Sequence, residues 1–341
     1  MSGQVTAIVG DGQMGLVLAA VLAEKGLPVR LWGPFPDHVA ELAATRRSRR
    51  LPAFQLDPSV DVLADHTAAL RGASLVVNAI PTQYIRPVWT RLGASVPADA
   101  AVVSVAKGVE NTTMLRPTQV LAELMEHGPA SGGSGDALSR VAALSGPTIA
   151  AEIARHLPAA MVAAAADGEL ARRIQATFSC RYLRIYTNTD VVGVELAGAV
   201  KNVIALAAGM AEGLELGFNA TSALLARGLV EIARLGTALG ARSETFFGVA
   251  GVGDLATTCF SPEGRNRTCG ERLGRGETLE QILASSQSVV EGVPTTRSVM
   301  ELSRKLGLDM PITAAVYEIL FNGLAPARAI AELMGRELKA E

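Results

Sequence analysis

The sequence predicts an α/β domain built on a parallel sheet, followed by an all-α domain. The chain has 341 residues, more than one domain usually holds, so we expect two domains of roughly 100 to 200 residues each. In the first half, short apolar runs alternate with amphipathic stretches, as in parallel strands joined by helices. From about Asp190 onward, long helical patterns follow without β-rich runs. We therefore predict domains at 1–188 and 189–341, with the boundary near 187–190.

Seven apolar runs in the first half are the predicted strands. They lie at residues 5–9, 29–32, 75–80, 101–105, 141–144, 161–165 and 183–186. The sequence SGGSGD at 131–136 lies between two of these runs and is flexible in composition, so we interpret it as a surface loop.

The composition argues against a membrane protein and against a secreted one. Hydrophobic residues make up 49% of the chain, yet no apolar run reaches the roughly 18 to 20 residues of a membrane span. Glu195 and Lys201 interrupt the best candidate. The N-terminus enters the strand-like VTAIVG without a basic region and a long apolar segment, so no signal peptide is visible. We expect a cytoplasmic location.

Charge and cysteine usage narrow the possible partners. A net charge of -2 gives no general electrostatic reason to expect nucleic acid or an anionic membrane, so the expected partner is a small molecule. The three cysteines form no CxxC pair, and the four histidines show no HxxxH or HExxH spacing. Neither a disulfide framework nor a zinc site is indicated.

Three glycines lie between the first strand and the first helix, in the sequence IVGDGQMGLV, which is the context that a GxGxxG motif requires. Gly10 permits a tight turn, Gly12 lets the backbone approach a pyrophosphate, and Gly15 lets the helix pack against the strand. A glycine-rich turn without a ligand is the alternative. We interpret the first domain as a Rossmann-type dinucleotide-binding domain.

The end of the second strand, LWGPFPD, bears on which dinucleotide is bound. A carboxylate is expected there when the ribose 2'-hydroxyl is read directly, and residues 32–35 offer none. The basic run RRSRR at 46–50 could reach a 2'-phosphate, although a solvated charged surface is the alternative reading. We expect NAD or NADP as cofactor, with NADPH slightly favoured.

Two segments are expected to meet at one edge of the sheet. Lys107 follows the apolar run AVVSVA, at the carboxyl end of a parallel strand, where open α/β sheets bind ligands. In LSGPTIAAEIA, Gly146 and Thr148 follow another strand and begin a helix, where free backbone amides can hold an anion. Taken alone, each segment is better explained as a loop with a capping residue.

Lys201 lies in VGVELAGAVKNVIALAAGM, which is otherwise apolar enough to be buried. The chain has five lysines and 26 arginines, so a plain need for positive charge is nearly always met by arginine. Burial of an unpaired charge is costly, and lysine can lose its proton when it is desolvated. We interpret Lys201 as a chemically reactive residue; a lysine that snorkels along an apolar helix is the alternative.

The segment GVAGVGDLATTCFSPEGRNRT combines flexible glycines with polar side chains. Asp254 can orient a neighbouring lysine. Arg265 followed by Asn266 can bind a phosphate through a fork of donors and an amide. A solvated turn between helices is the alternative.

The chain resembles the NAD(P)-dependent glycerol-3-phosphate dehydrogenase family over nearly its whole length, from about residue 5 to residue 335. The resemblance is carried by segments in the family's order, namely GDGQMG, VAKG, SGPT, VELAGAVKNVIALAAGM, GVGDLATTC, GRNR and VVEGVPT. It implies reversible hydride transfer between a nicotinamide and carbon 2 of dihydroxyacetone phosphate or sn-glycerol 3-phosphate, usually to supply the phospholipid backbone. It also implies a homodimer.

The resemblance assigns roles by position. Lys201 resembles the family's proton donor and acceptor, with Lys107 and Asp254 beside it as further catalytic and substrate-binding residues. The other implied substrate contacts are Gly146, Thr148, Asn202, Thr258, Gly264, Arg265 and Asn266. The implied dinucleotide contacts are Gly10, Gly12, Gln13, Met14, Gly15, Tyr84, Lys107, Ala150, Arg265, Val289 and Glu291.

The chain departs from the family's bacterial members at two places. Pro34 and Phe35 stand where those members often carry a basic residue near the adenosine ribose. Gly264 stands where they commonly carry serine, so one phosphate contact is expected from the backbone alone.

Two other functions compete with this interpretation. A dehydrogenase of a 2-keto or 3-keto acid would share the glycine motif, but Arg265 and Asn266 favour a phosphorylated substrate. A dinucleotide-binding sensor without activity would need no combination of Lys107, Lys201 and Asp254.

Overall fold

The computed structural model describes residues 5–126, 137–286 and 288–338. The predicted loop at 131–136 lies outside these residues. The predicted fold class is confirmed: an N-terminal α/β half carries one large sheet, and the rest of the described chain is helical.

The α/β half contains ten strands and seven α-helices among the described residues. The strands are β1 Val5–Val9, β2 Val29–Trp32, β3 Arg47–Ser48, β4 Leu51–Gln55, β5 Asp61–Val62, β6 Ala73–Asn78, β7 Ala101–Ser104, β8 Val141–Ser145, β9 Ala159–Ala165 and β10 Leu183–Asn188. The helices are α1 Gln13–Glu24, α2 Pro36–Thr45, α3 His66–Leu70, α4 Thr82–Leu92, α5 Pro117–Glu126, α6 Ala150–Ala154 and α7 Gly168–Phe178.

Eight strands form one sheet in the order β10-β9-β8-β7-β6-β1-β2-β5, while β3 and β4 form a separate hairpin. The sequence predicts parallel pairing throughout, and this is wrong at one place, because β9 runs antiparallel to β8. The segment 146–158 between them holds only the five-residue helix α6, whereas a crossover that restores the strand direction usually takes a longer helix. The sequence does not predict the short strands β3, β4 and β5, because β3 and β5 have two residues each and β4 contains a proline, which is disfavoured within strands.

The sheet is covered on both faces, which explains why its strands read as continuous apolar runs. In β6, Leu75 and Val77 belong to the cluster beneath α1, α6 and α7, and Val76 belongs to the opposite cluster beneath α3, α4 and α5. Side chains of a strand alternate between faces, so one run fills two cores.

The helical half is built around one long helix. Its α-helices are α8 Val191–Gly213, α9 Gly217–Ala238, α10 Ser243–Phe246, α11 Asp254–Phe260, α12 Arg265–Gly274, α13 Leu279–Ser285, α14 Gly292–Leu306, α15 Pro311–Asn322 and α16 Pro326–Met334. A π-helical turn, Val249–Gly253, leads directly into α11. Helix α8 packs against α9, α11, α12 and α14, and also against β8 and β9 of the sheet.

Helix α8 begins two residues after β10 ends, and the Asp190 carboxylate caps it by accepting a hydrogen bond from the Gly193 amide at 2.9 Å. Because α8 packs on the sheet as well as on the helices, the division into domains at 188 and 189 stays a prediction.

Helix α8 is also, among the helices of the described residues, the one long and apolar enough to cross a membrane, and 83% of its most apolar window is buried inside the protein. A core helix of a folded domain meets the same test of length and composition.

Candidate active site

The glycine turn after β1 forms a cradle at the start of α1. Gly10 has a φ of 122°, and a Cβ there would lie 2.8 Å from the Ala79 carbonyl group, so no other residue fits without strain. A Cβ on Gly15 would overlap the Gly10 carbonyl oxygen. At Gly12, by contrast, nothing lies within 4 Å of a Cβ, and no side chain caps the amides of α1. These uncapped amides and the open space beside Gly12 fit a pyrophosphate.

The catalytic candidates converge on the carboxyl edge of the same sheet. Lys107 follows β7, and Gly146 follows the neighbouring strand β8. The Lys107 Nζ donates hydrogen bonds to the Gly146 carbonyl oxygen at 2.9 Å and to Asp254 Oδ2 at 2.8 Å. The carboxylate of Asp254 therefore reaches from the helical half to the edge of the sheet.

Lys201 completes this cluster from the middle of α8. Its Nζ donates a short hydrogen bond to Asp254 Oδ1 and another to Thr258 Oγ1 at 2.6 Å. The Lys201 residue is 5% exposed and Asp254 is 1% exposed. Asp254 and Thr258 lie one turn apart on α11, so one short helix holds both acceptors toward the lysine.

Burial controls the proton affinity of Lys201. Removal from water lowers the pKa of its ammonium group from 10.5 to about 8, with the nearby Asp254 charge opposing this shift and the Lys107 charge adding to it. An amine with a pKa near the pH of the reaction can both give and accept a proton. This is the property required of a proton donor and acceptor.

A chain of side-chain amides joins the segments around the lysines. The Asn202 Nδ2 donates to the Lys107 carbonyl oxygen at 3.0 Å, and the Asn266 Nδ2 donates to Asn202 Oδ1 at 2.9 Å. The Asn266 Oδ1 in turn accepts from the Gly292 amide at 2.9 Å. The loop after β7 and the helices α8, α12 and α14 are thereby linked.

The cationic side chain of Arg265 lies at the start of α12, next to this network. Gly264 precedes the helix and offers no side-chain cap, and Arg265 is exposed. Among the described residues no hydrogen bond or ion pair engages the Arg265 guanidinium, although its charge opposes the rise of the Glu291 pKa. Uncapped amides and an unpaired guanidinium are both suited to a phosphate.

Glu291 lies at the other side of the crevice, before α14. Its carboxylate accepts a hydrogen bond from the Thr82 amide at 3.1 Å, and burial raises its pKa. Thr82 begins α4 just beyond the end of β6, and it was missed by sequence reasoning. The available signal was its place in NAIPT, four residues after the last residue of β6.

The remaining predicted residues are distributed unevenly. Hydrogen bonds join Lys107, Gly146, Thr148, Lys201, Asn202, Asp254, Thr258 and Asn266 into one cluster. Gln13 and Met14 lie at the glycine turn, and Ala150 begins α6. Tyr84 and Val289 are exposed, and within the described part of the chain no hydrogen bond ties the Tyr84 hydroxyl to the cluster.

A glycine turn at the edge of a mostly parallel sheet, with buried lysines and a carboxylate at the same edge, is the arrangement of a dinucleotide-dependent dehydrogenase. Comparison with known families agrees and is more specific. The family model described as the NAD-dependent glycerol-3-phosphate dehydrogenase N-terminus matches residues 5–171, and the one described as the C-terminus matches residues 190–331. The chain belongs to the NAD(P)-dependent glycerol-3-phosphate dehydrogenase family. It is thus an oxidoreductase with NAD or NADP as cofactor.

Individual relatives are similar over their full length. The chain is 45% identical over 336 residues to glycerol-3-phosphate dehydrogenase [NAD(P)+] of Corynebacterium glutamicum (strain R), covering 98% of each chain. It is 43% identical over 336 residues to the protein of the same name from Geobacter sp. (strain M21), again covering 98% of each. The crystal structure of glycerol-3-phosphate dehydrogenase from Coxiella burnetii superimposes with a TM-score of 0.91 at 34% identity, covering 98% of this chain and 99% of the other.

Proposed function

We propose that this chain reduces dihydroxyacetone phosphate to sn-glycerol 3-phosphate with NADH or NADPH, reversibly, and that Lys201 exchanges the proton. The observation that carries the proposal is the buried cluster of Lys107, Lys201 and Asp254 at the sheet edge that also holds the glycine turn. Full-length similarity to relatives named for this activity supports the substrate.

The cofactor is held by the glycine turn and the residues around it. The uncapped amides that follow Gly12 would bind the pyrophosphate, and the space beside this glycine is open. The further contacts that we propose are Gly10, Gln13, Met14, Gly15, Tyr84, Lys107, Ala150, Arg265, Val289 and Glu291. The nicotinamide, when bound, supplies the hydride that adds to carbon 2 of the ketone.

Lys201 supplies the proton that this addition requires. Reduction leaves a negative charge on the oxygen of carbon 2, and the Lys201 ammonium transfers one proton to it, which gives the alcohol and a neutral amine. Asp254 and Thr258 hold the Nζ in place, and the amine recovers its proton from solvent. In the oxidation direction the neutral amine removes the hydroxyl proton. Lys107 adds positive charge beside the developing alkoxide.

The substrate phosphate is bound at the start of α12. Arg265 offers an exposed guanidinium there, and no side chain caps the backbone amides at the start of the helix. Gly146, Thr148, Asn202 and Asn266 line the crevice between phosphate and ketone. This accounts for several cationic groups in a slightly acidic protein.

The direct test is the oxidation of NADH or NADPH on addition of dihydroxyacetone phosphate, with 2-keto acids as controls. We expect oxidation with dihydroxyacetone phosphate and far less with the keto acids, because these lack the phosphate that Arg265 binds. Oxidation with keto acids alone would instead favour the other dehydrogenase, and no oxidation with any substrate would favour a sensor.

Four further features belong to the proposal. We place the protein in the cytoplasm, as a homodimer that supplies sn-glycerol 3-phosphate for phospholipid synthesis, and divide it into domains at 1–188 and 189–341. The resemblance to the family supports the cytoplasmic location, the homodimer and the metabolic role. The end of β10 at Asn188 supports the boundary.

A further inference from the structure

The basic run at 46–50 is divided by the fold. Arg46 is the C-cap residue that follows α2, and its guanidinium donates to the Val60 carbonyl oxygen at 2.7 Å. Arg49 is exposed and pairs with Glu41 at 3.2 Å. Arg50, alone among the arginines of this run, has its guanidinium bonded to the glycine turn.

Three side chains surround the Arg50 guanidinium. Its Nη1 donates to Asp11 Oδ1 at 3.0 Å, and its Nη2 lies 3.2 Å from His38 Nδ1. The guanidinium carbon lies 5.7 Å from the centroid of the Phe35 ring. About 29% of the Arg50 side chain stays exposed, so the group is held in place while part of it faces solvent.

This guanidinium lies at the end of β2. Asp11 belongs to the glycine turn, yet it packs against Gly33, the residue after β2, since a Cβ on Gly33 would lie 2.6 Å from the Asp11 Cγ. In dinucleotide-binding domains the end of this strand faces the ribose of the adenosine. A carboxylate there reads the 2'-hydroxyl of NAD, and an arginine there accommodates the 2'-phosphate of NADP.

In this chain a carboxylate, Asp11, and an arginine, Arg50, lie next to each other at the end of β2. The Asp11 residue is 4% exposed and its carboxylate is paired with Arg50, which offsets the repulsion that a bare carboxylate would exert on a phosphate. A guanidinium has five donors in a planar fork, so Arg50 keeps donors for a phosphate after bonding Asp11.

We propose that Arg50, oriented by Asp11, binds the 2'-phosphate of NADPH and makes this chain prefer NADPH to NADH. The inference rests on the proposed function only in that the glycine turn binds a nicotinamide dinucleotide. Phe35 and His38 lie beside this guanidinium and would flank the adenosine.

The test measures binding of two adenosine nucleotides by calorimetry without any substrate. The wild-type protein is expected to bind adenosine 2',5'-bisphosphate more tightly than AMP. Arg50→Ala should weaken binding of the bisphosphate by about 10- to 100-fold, the usual effect of losing a charged hydrogen bond. It should weaken binding of AMP by less than about 3-fold. The dissociation constants of NADPH and NADH should change in the same way.

Arg49→Ala is the matched control. It removes the same charge from the neighbouring residue, whose side chain faces solvent. It should leave the ratio of bisphosphate to AMP affinity at the wild-type value, and Arg50→Lys should retain part of that ratio. Retained AMP binding shows that the variants fold. A wild-type protein without preference for the bisphosphate, or an unchanged ratio in Arg50→Ala, would overturn the inference.

These outcomes are independent of the reaction. A chain that fails to reduce dihydroxyacetone phosphate but discriminates the two nucleotides through Arg50 loses the proposed function and keeps this inference. A chain that reduces the substrate equally well with both dinucleotides, and does so in Arg50→Ala as well, keeps the function and loses the inference.

Discussion

At the scale of single residues, Lys201 shows what composition predicts and what it leaves open. A lysine inside an apolar stretch of an arginine-rich chain indicated a reactive group, and the structure places its Nζ on Asp254 and Thr258, away from solvent. The sequence could not pair these residues, since Asp254 lies 53 positions further along the chain. Contacts of that separation depend on how α8 and α11 pack.

The pH dependence of the reaction tests the role of Lys201. Reduction needs the ammonium form, so its kcat/KM should fall as the pH rises through about 8, where burial places the pKa of this amine. Oxidation needs the neutral amine, so its kcat/KM should rise through the same pH. Steady-state kinetics in both directions on each side of that pH measure this.

A matched pair of variants supports the interpretation of those profiles. Lys201→Arg keeps the charge but cannot release a proton near that pH, so turnover should fall by about 100-fold or more while dinucleotide binding remains. Lys305→Arg, at an exposed lysine paired with Glu301, should have wild-type kinetics. Near-normal turnover in Lys201→Arg would remove the proposed role.

At the scale of elements, the close crossing of α8 and α12 positions the proposed phosphate site. Glycines allow the two helix backbones to touch: a Cβ on Gly209 of α8 would overlap the Arg267 carbonyl oxygen, and a Cβ on Gly270 of α12 would overlap that of Leu206. The crossing brings Asn266 against Asn202. The sequence predicts both helices, but which of their glycines face each other follows only from the packing.

One methyl group at this crossing should separate the helices. Gly270→Ala gains up to about 1 kcal/mol of helix propensity, but overpacking against a backbone carbonyl typically costs ~1–3 kcal/mol. We expect a net loss in the free energy of unfolding of ~1–2 kcal/mol, together with a higher KM for dihydroxyacetone phosphate. Denaturant unfolding and steady-state kinetics measure the two effects.

Gly168→Ala, at the half-buried start of α7, is the control for this substitution. A Cβ there meets only the flexible end of Arg172 at 3.6 Å, so stability should stay within about 0.5 kcal/mol of the wild-type value. If Gly270→Ala proved as stable as Gly168→Ala, the crossing would tolerate a side chain and the argument would be wrong.

At the scale of the whole molecule, a buried ion pair holds the start of α5 against α8. Glu195, six residues before Lys201, pairs with Arg116 and accepts hydrogen bonds from the Thr118 amide at 2.8 Å and the Thr118 hydroxyl at 2.6 Å. Arg116 and Thr118 lie in the segment that follows Lys107. The pair therefore holds the segment that follows Lys107 against the helix that carries Lys201.

Loss of this pair should destabilise the entire fold. Glu195→Ala leaves the largely buried Arg116 without its partner, and such changes typically cost about 3–5 kcal/mol. Unfolding in guanidinium chloride should show this loss in the free energy of unfolding. The double variant Glu195→Ala with Arg116→Met should show a smaller loss. Glu301→Ala, which removes an exposed pair with Lys305, should cost less than about 1 kcal/mol. A loss of that size for Glu195→Ala would contradict the argument.

The sequence by itself determined the class of fold, the glycine turn and the segments that carry polar chemistry, because helix and strand periodicity and glycine spacing are local properties of the chain. It did not determine the antiparallel strand β9, the pairing of Lys201 with Asp254, or which arginine of the run at 46–50 meets the glycine turn. These depend on residues far apart in the chain that only packing of the sheet and helices brings within bonding distance.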